Sequence, residues 1–338
     1  MFRSEVFWLG VIVAFACLVF IGGRLFPDAT DSDTSSEAAR MLFVGDVMLA
    51  RHVETLMDTE GAYYPFRGVR DFFGEAVAVV GNFEGAIPPR HVQTPNGAMR
   101  FSVDAEIAPV LARTGFTHLS LANNHADDYG ETGYHNTRAV LARAGMVAAG
   151  HPYELTTDDI LYQELDGRVV ALVPLYAVSG APDEAALETM LVEATRASDL
   201  QVVFVHWGEE YALTASQAQR SLAHTLVDLG ADAVIGHHPH VVQDVEVYRN
   251  APVFYSLGNF IFDQYWRSEV EEGLMVALSF TDAHVRYELL PVTSTETPSA
   301  PRPMKRVERT QFLNGLANRS EESLRDELRA GVIERPVF

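Results

Sequence analysis

The chain has 338 residues and a formal net charge of −21. That excess of acid, with no long basic run, excludes nucleic-acid binding through the phosphate backbone. It also means that an anionic substrate needs a local cation to approach against the field of the whole chain. With 48% apolar residues, the length suits one large domain or two small ones with a sizeable core.

The predicted elements start at the N-terminus. Val6 to Gly23 carry no charged side chain, which matches the lower end of a membrane-spanning helix. Segment 1–26 is therefore expected to be a transmembrane anchor, with a cleaved signal peptide as the alternative. Arg3 favours a cytoplasmic N-terminus and an extracytoplasmic domain. Cys17, the only cysteine, lies in this run, so no intrachain disulfide forms. It reads as a small apolar residue of the helix, lipid attachment being the other reading. Residues 27–40 are polar and small and are expected to form a flexible linker.

Residues 41–293 are expected to form the main domain. Short apolar runs recur there at 41–45, 76–81, 118–122, 169–174, 202–208, 233–237 and 253–259, each closed by Gly, Asn, His, Ala or Pro. Continuous β-branched runs of this kind fit strands buried on both faces. Between them the spacing predicts helices over 106–113, 136–143, 188–197 and 216–229. The last is the clearest, with Ser216 as N-cap, Leu222, Leu226 and Leu229 on one face, and Gly230 as the stop. Strand alternating with helix implies an α/β layered fold. Segment 274–292 reads as a hairpin turning at Thr281–Asp282. Residues 294–338 are expected to be a C-terminal loop and helical tail, with a charged, exposed helix over 311–330.

The polar residues cluster at strand ends. Asp46 follows the first strand, Asn82 and Glu84 the second, and Asn123, Asn124 and His125 the third. His206 ends a later strand, and His237, His238 and His240 follow the next. In open α/β sheets the loops at the carboxyl ends of strands converge on one edge, so these residues are expected to meet in one cleft. Imidazole and carboxylate suit Zn, Mn, Fe and similar divalent metals. Two such ions activate a water and stabilise attacking and leaving oxygens. An unligated histidine protonates the leaving group, and His125 is the candidate. Each cluster alone has a plainer reading: a turn aspartate, an Asx-turn, a core histidine. Their common placement favours a site. His52, His91, His118, His135, His151, His224 and His284 lack such company and read as surface or structural.

Together GDVML, GNFEG, LANNHADDYG, HWGEEY, GADAVIGHHPHVVQ and YSLGNFIFDQ resemble the capsule-synthesis protein CapA family. That family is the poly-γ-glutamate-associated branch of the calcineurin-like metallophosphoesterase superfamily. The resemblance runs from about Leu42 to Gln264. It implies a layered metallophosphoesterase-like fold, β-sheets flanked by helices, and one or two divalent ions (Mn, Zn or Fe). Carried over by position, it implies Asp46, Asn124, His206, His238 and His240 as metal ligands and His125 as the acid. Glu84 stands where a bridging carboxylate is expected, with Asn82 an equal positional match. Two departures from the superfamily pattern bear on the chemistry. Met48 stands where a second ligand, usually His, is expected, and a thioether suits hard ions poorly. Asn82 stands where an Asp is expected.

The resemblance implies a membrane-anchored, metal-dependent hydrolase or transferase acting on poly-γ-glutamate or a related polymer during synthesis, release or export. The alternatives are a non-catalytic export or assembly subunit with the same fold, and a general metallophosphoesterase. The expected partners are an anionic capsular polymer, the membrane and other capsule-synthesis membrane subunits, with no nucleic acid. Asn82, Asn123, His237, Glu210 and Asn259 are further site candidates. Trp207, Glu209, Tyr211 and Asp263 join them as candidate cleft residues, Asn259 having a turn role as its other reading.

Overall fold

The computed structural model describes residues 39–337. The expected anchor, 1–26, and the expected linker as far as residue 38 lie outside the described residues. No helix among the described residues is long and apolar enough to cross a membrane.

The chain first lays down β1 (Arg40–Val47), β2 (Ala78–Phe83), β3 (His118–Ser120) and β4 (Val147–Ala149), parallel and side by side. The crossovers carry α1 (Arg51–Glu60), α2 (Arg70–Gly74), α3 (Ala108–Thr114) and α4 (Gly130–Arg143). A second sheet follows from β5 (Leu161–Leu165), β6 (Arg168–Tyr176), β7 (Leu200–His206), β8 (Ala233–His237), β9 (Val245–Tyr248) and β10 (Ala251–Phe254). Its order is β5-β6-β7-β8-β10-β9, with α5 (Glu184–Ala197) and α6 (Gln217–Asp228) as crossovers. The chain then returns to the first sheet through β11 (Asn259–Ile261), α7 (Ser268–Glu271), β12 (Glu272–Phe280), β13 (His284–Thr293) and β14 (Arg302–Pro303). It closes with α8 (Arg306–Arg319), α9 (Arg325–Ala330) and β15 (Val332–Pro336).

Side-chain alternation along the strands explains the layering. In β1, Met41 and Phe43 face a core shared by the two sheets, while Leu42 and Val44 face the layer of α1 to α4. In β7, Val202 and Phe204 face the shared core, and Val203 and Val205 face α5 and α6. Phe43 and Phe204 meet across the gap with ring centroids 6.1 Å apart. The result is helices, sheet, sheet, helices, an α/β arrangement with mixed sheets. Both faces of each central strand are buried, as the continuous apolar runs require.

The helix over 216–229 forms as α6, and its start is a capping box. The Ser216 hydroxyl accepts the Gln219 N–H (3.2 Å), and the Gln219 side chain accepts the Ser216 N–H (3.0 Å). The 274–292 hairpin forms as β12 and β13, closed by the Thr281 N–H to His284 O bond. Three expectations need correction. The polar clusters do not share the edge of one open sheet; they lie where the strand ends of two facing sheets meet. The run 253–259 is two strands, because the chain leaves β10 at Tyr255 and crosses to the first sheet at β11. The tail is not one exposed helix over 311–330 but α8 and α9, broken at Ser320. Their Phe312, Leu313, Leu316 and Leu328 bury into the shared core, and β15 pairs with β13. The stripe is short, and the charged residues before Gln311 and after Asn318 hide it in the sequence.

The crossing segment 255–258 ties the two sheets together at the site end. Gly258 O accepts the Asp46 N–H (3.0 Å), and Gly236 O accepts the Leu257 N–H (2.9 Å). It passes so close that a Cβ at Gly45 would lie 2.0 Å from Gly258 O, and one at Gly236 would lie 2.1 Å from Tyr255 O. Gly45→Ala and Gly236→Ala are each expected to destabilise the fold by about 1–3 kcal/mol or more. Gly74→Ala, where a Cβ meets nothing within 4 Å, should stay within about 0.5 kcal/mol of the parent. Denaturant midpoints check this; equal shifts at the three positions would contradict the close approach.

Candidate metal centre

Five strand ends deliver the polar residues to one place. The register of β1 against β2 shifts between Phe43 and Asp46, and such a bulge re-aims the following side chain. Asp46 is fully buried, and its carboxylate oxygens meet three residues, one on β2 and two on the turn after β8. Asn82 Nδ2 of β2 donates to Oδ1 (2.8 Å), His240 Nδ1 pairs with Oδ2 (3.0 Å), and the His238 N–H reaches Oδ2 (3.4 Å). Asn82 Nδ2 also lies 3.1 Å from His206 Nδ1 and 3.4 Å from Glu84 Oε2. The other nitrogen of His206, Nε2, pairs with Asn124 Oδ1 (2.8 Å).

The HHPH turn after β8 is held in an uncommon conformation. His238 and His240 have φ of 95° and 58°. Non-glycine residues in this region cost on the order of 1–3 kcal/mol each and gather at functional sites. Between them Pro239 O accepts the Tyr211 N–H (2.8 Å), and Tyr211 itself has φ 66°. That bond brings Glu210 against His238 and His240.

Two groups of side chains could hold a metal ion. They are Asp46 with Glu84 and His206, and Glu210 with His238 and His240; within each group the candidate ligand atoms lie within 4.8 Å of one another. The donor atoms are nitrogen and oxygen, the set that suits borderline and hard divalent ions. Two of them are buried without a hydrogen-bond partner, Glu84 Oε1 and His238 Nδ1. Buried polar atoms are rarely left so, and here the two lie on side chains of the two candidate ligand groups. The residues therefore fit a divalent cation.

The electrostatics point the same way. Burial alone would raise the Asp46 carboxyl, but the hydrogen bond and charge of His240 hold it below the usual range. Burial pushes Glu84 up to about 7, with the His240 charge opposing and the Asp46 charge adding. Burial would pull His240 down, yet Glu84 and Asp46 hold it up at about 9. Burial and then His240 bring His238 down to about 4, and burial with the neighbouring imidazoles takes His206 well below its ordinary value. Without a cation the two buried acids keep a proton on His240 as their counter-charge.

His125 stands beside this cluster. Its Nδ1 pairs with Asp128 Oδ2 (3.0 Å), its ring stacks on Phe101 (centroids 4.0 Å apart), and its Nε2 lies 3.9 Å from Glu84 Oε1. Asp128 also accepts the Phe101 N–H (2.6 Å), so the pair is fixed to its surroundings. Glu84, His125, Glu210 and His240 open onto a cleft of about 470 Å³, whose other walls include Arg51, Tyr211, Asp263 and Trp266.

The structure thus brings together Asp46, Asn82, Glu84, Asn124, His125, His206, Glu210, His238 and His240. Asn123 supports from behind, donating to Asn82 Oδ1 (3.0 Å) and Phe83 O (2.9 Å). Others turn away. His237 Nε2 bonds Val44 O (3.0 Å) and its ring packs on Phe204 in the core. Asn259 donates to Gln264 and to Val270 O. Trp207 is buried against Tyr255, and Glu209 lines a separate pocket beside α6. Met48 is buried in the core with its sulfur on the Ala50 N–H (3.1 Å), so it offers the site nothing. Reading the sequence missed Asp128, three residues after His125 in the same turn, and took His52 as surface or structural although it lines the cleft. The i, i+3 spacing was the available signal for Asp128.

Comparison with known proteins adds the lineage. The family model of the bacterial capsule synthesis protein PGA_cap matches residues 40–264. The PGA biosynthesis protein CapA of Bacillus subtilis (strain 168) is 34% identical over 283 residues, covering 79% of this chain and 74% of the relative. The capsule biosynthesis protein CapA of Bacillus anthracis is 35% identical over 262 residues, covering 71% and 64%; the chain spans just under two thirds of that relative. Among solved structures, that of a hypothetical protein from Thermus thermophilus overlaps 78% of this chain and 98% of its own at a TM-score of 0.47 and 21% identity.

Replacing both His238 and His240 by Ala is expected to lower bound divalent metal, read by elemental analysis, with the sheets still folded by circular dichroism. Unchanged occupancy would remove these residues from the ligand set. Binding should also depend on pH in a defined sense. A cation displaces the proton held by His240 (about 9) and needs Glu84 ionised (about 7). Metal loading at about pH 8 should therefore release protons. Affinity should rise as pH climbs toward the His240 value and fall as pH drops through that of Glu84. A titration without proton release would count against the cluster.

Proposed function

Since this chain belongs to the bacterial capsule synthesis protein PGA_cap family, we propose that it is a metal-dependent hydrolase or transferase of the cell envelope. Its substrate would be poly-γ-glutamate or a similar anionic polymer, handled during synthesis, release or export. The observation that supports this reading most is the adjacency of two metal-competent groups to the His125–Asp128 pair on one cleft.

Asp46, Glu84 and His206 would hold one divalent ion and Glu210, His238 and His240 a second, with Asn124 offering its amide oxygen and Asn82 positioning Asp46 through its amide nitrogen. When bound, such ions polarise a carbonyl or phosphoryl oxygen and lower the pKa of water. The remaining work falls to the protein. Asp128 fixes the His125 ring and takes its Nδ1 proton in a hydrogen bond, which leaves Nε2 facing Glu84 as the atom that gives or receives a proton. Phe101 beneath the ring keeps it from swinging. Nε2 is thus placed to protonate the leaving nitrogen of an amide or the leaving oxygen of an ester. The run Val6–Gly23 would anchor the chain, with the domain extracytoplasmic and other capsule-synthesis membrane subunits as its neighbours.

A polymer-holding subunit without turnover is the second reading. It is favoured by the β2 position where Asn82 offers a neutral amide in place of a carboxylate, hydrogen-bonded to Asp46 and close to His206. Activity on γ-glutamyl polymer, assayed with the metals found in the purified protein, separates the two. Catalysis predicts chelator-sensitive turnover, and His125→Ala should slow it about 10²–10⁴-fold with metal content unchanged. A metal-loaded protein inert on the polymer and on aryl phosphates would favour the holding role. Full activity in His125→Ala would remove that residue as the acid.

A further inference from the structure

We propose that Arg51 is the carboxylate-recognising residue of the cleft. The edge of its guanidinium would take a side carboxylate of the γ-glutamyl chain and so set the chain against His125. This rests on the substrate reading above and names the group that reads that substrate.

Arg51 is the one lysine or arginine among the described residues that line the cleft. It sits there in a chain of net charge −21, where an anionic ligand needs a local cation. Its side chain is only 9% exposed, so it is not a solvated surface arginine. Nη2 is paired with Asp263, Nη1 donates to Ala98 O (3.3 Å), and Nε is buried with no partner. A guanidinium carries five N–H donors in a fixed fork, so three of them have no protein acceptor. Nε is the donor buried without a partner; each terminal nitrogen keeps one further N–H, and these two are the donors available to a ligand.

The surroundings suit a planar anion. Phe101 and Phe262 lie against the guanidinium, 4.6 and 5.5 Å from its carbon to their ring centroids. These apolar flanks exclude water and strengthen any hydrogen bond made at the free edge. Asp263 uses both oxygens to hold the assembly, one on Arg51 and the other on the His52 N–H (3.3 Å). Arg51 is therefore pre-oriented, and it opens α1 with φ 53°, a strained start for a helix. Phe101 stacks on His125 as well as on Arg51. The same ring therefore links the binding group to the proton-carrying one. Bidentate carboxylate recognition by a fixed fork is the task for which arginine differs from lysine.

The test compares two probes on the metal-loaded protein by fluorescence anisotropy. One is γ-linked pentaglutamate; the other is the same pentamer with its side carboxylates converted to primary amides. Wild type should bind the carboxylate form more tightly. Arg51→Gln should weaken that binding about tenfold or more while leaving the amide form and the metal content unchanged, and Arg51→Lys should fall between. Wild type binding both pentamers equally would overturn the proposal without recourse to any variant. So would an Arg51→Gln protein that keeps the preference. Wild type that binds neither pentamer would overturn the substrate reading itself, and with it this assignment.

Discussion

Two carboxylates buried side by side set the terms for the rest of the molecule. Asp46 and Glu84 are 0% and 1% exposed, at the ends of neighbouring strands, at the point where two sheets meet. Burying a single ionised carboxylate without compensation costs many kcal/mol, and here a second one adds its repulsion. The protein answers with a shell of nitrogen: Asn82, His206, His238 and His240 surround the pair. That shell does not finish the task, because one Glu84 oxygen and one His238 nitrogen have no partner. A divalent cation would complete the balance of both charge and coordination.

Many local features of the fold serve this arrangement. Gly45 and Gly236 carry no side chain because segment 255–258 passes within about 2 Å of where one would stand. That passage pins the ends of β1 and β8 to each other and so sets the spacing between Asp46 and the histidine turn. Among the described non-glycine residues with positive φ are Arg51, Tyr211, His238 and His240, all at the centre or its cleft. Strain kept at these positions is offset by the packing of three apolar cores around them. The side chains are layered outward in the same way: the buried carboxylates and imidazoles, then the His125–Asp128 pair, then Arg51 and the aromatic wall.

Much of this was legible in the residues. The continuous apolar runs announced strands buried on both faces, and their polar ends announced the site; Asp46, Asn124, His206, His238 and His240 do meet. What could not be read was how the strands are divided between sheets. Periodicity tells that Val202 and Phe204 share a face, but not that the face opposes Met41 and Phe43 of another sheet. Helix α8 was misread because its apolar residues, Phe312, Leu313, Leu316 and Ala317, form a short stripe with charged residues at both ends of the helix, and only the packing shows that this side is buried. His237 and His238 illustrate the limit most clearly. They are adjacent and chemically identical, yet strand alternation sends one into the core and the backbone turn sends the other into the centre. Arg51 gave no signal at all, since a lone arginine after a strand reads as surface until its neighbours are known.

The most direct test of the central claim is an anomalous difference map from crystals of the protein grown with manganese. The account requires a peak bonded to Asp46, Glu84 and His206, to Glu210, His238 and His240, or to both groups. A map with no peak there, while Asp46 and Glu84 remain buried together, would show that protons and hydrogen bonds alone balance the two acids, and would contradict the account.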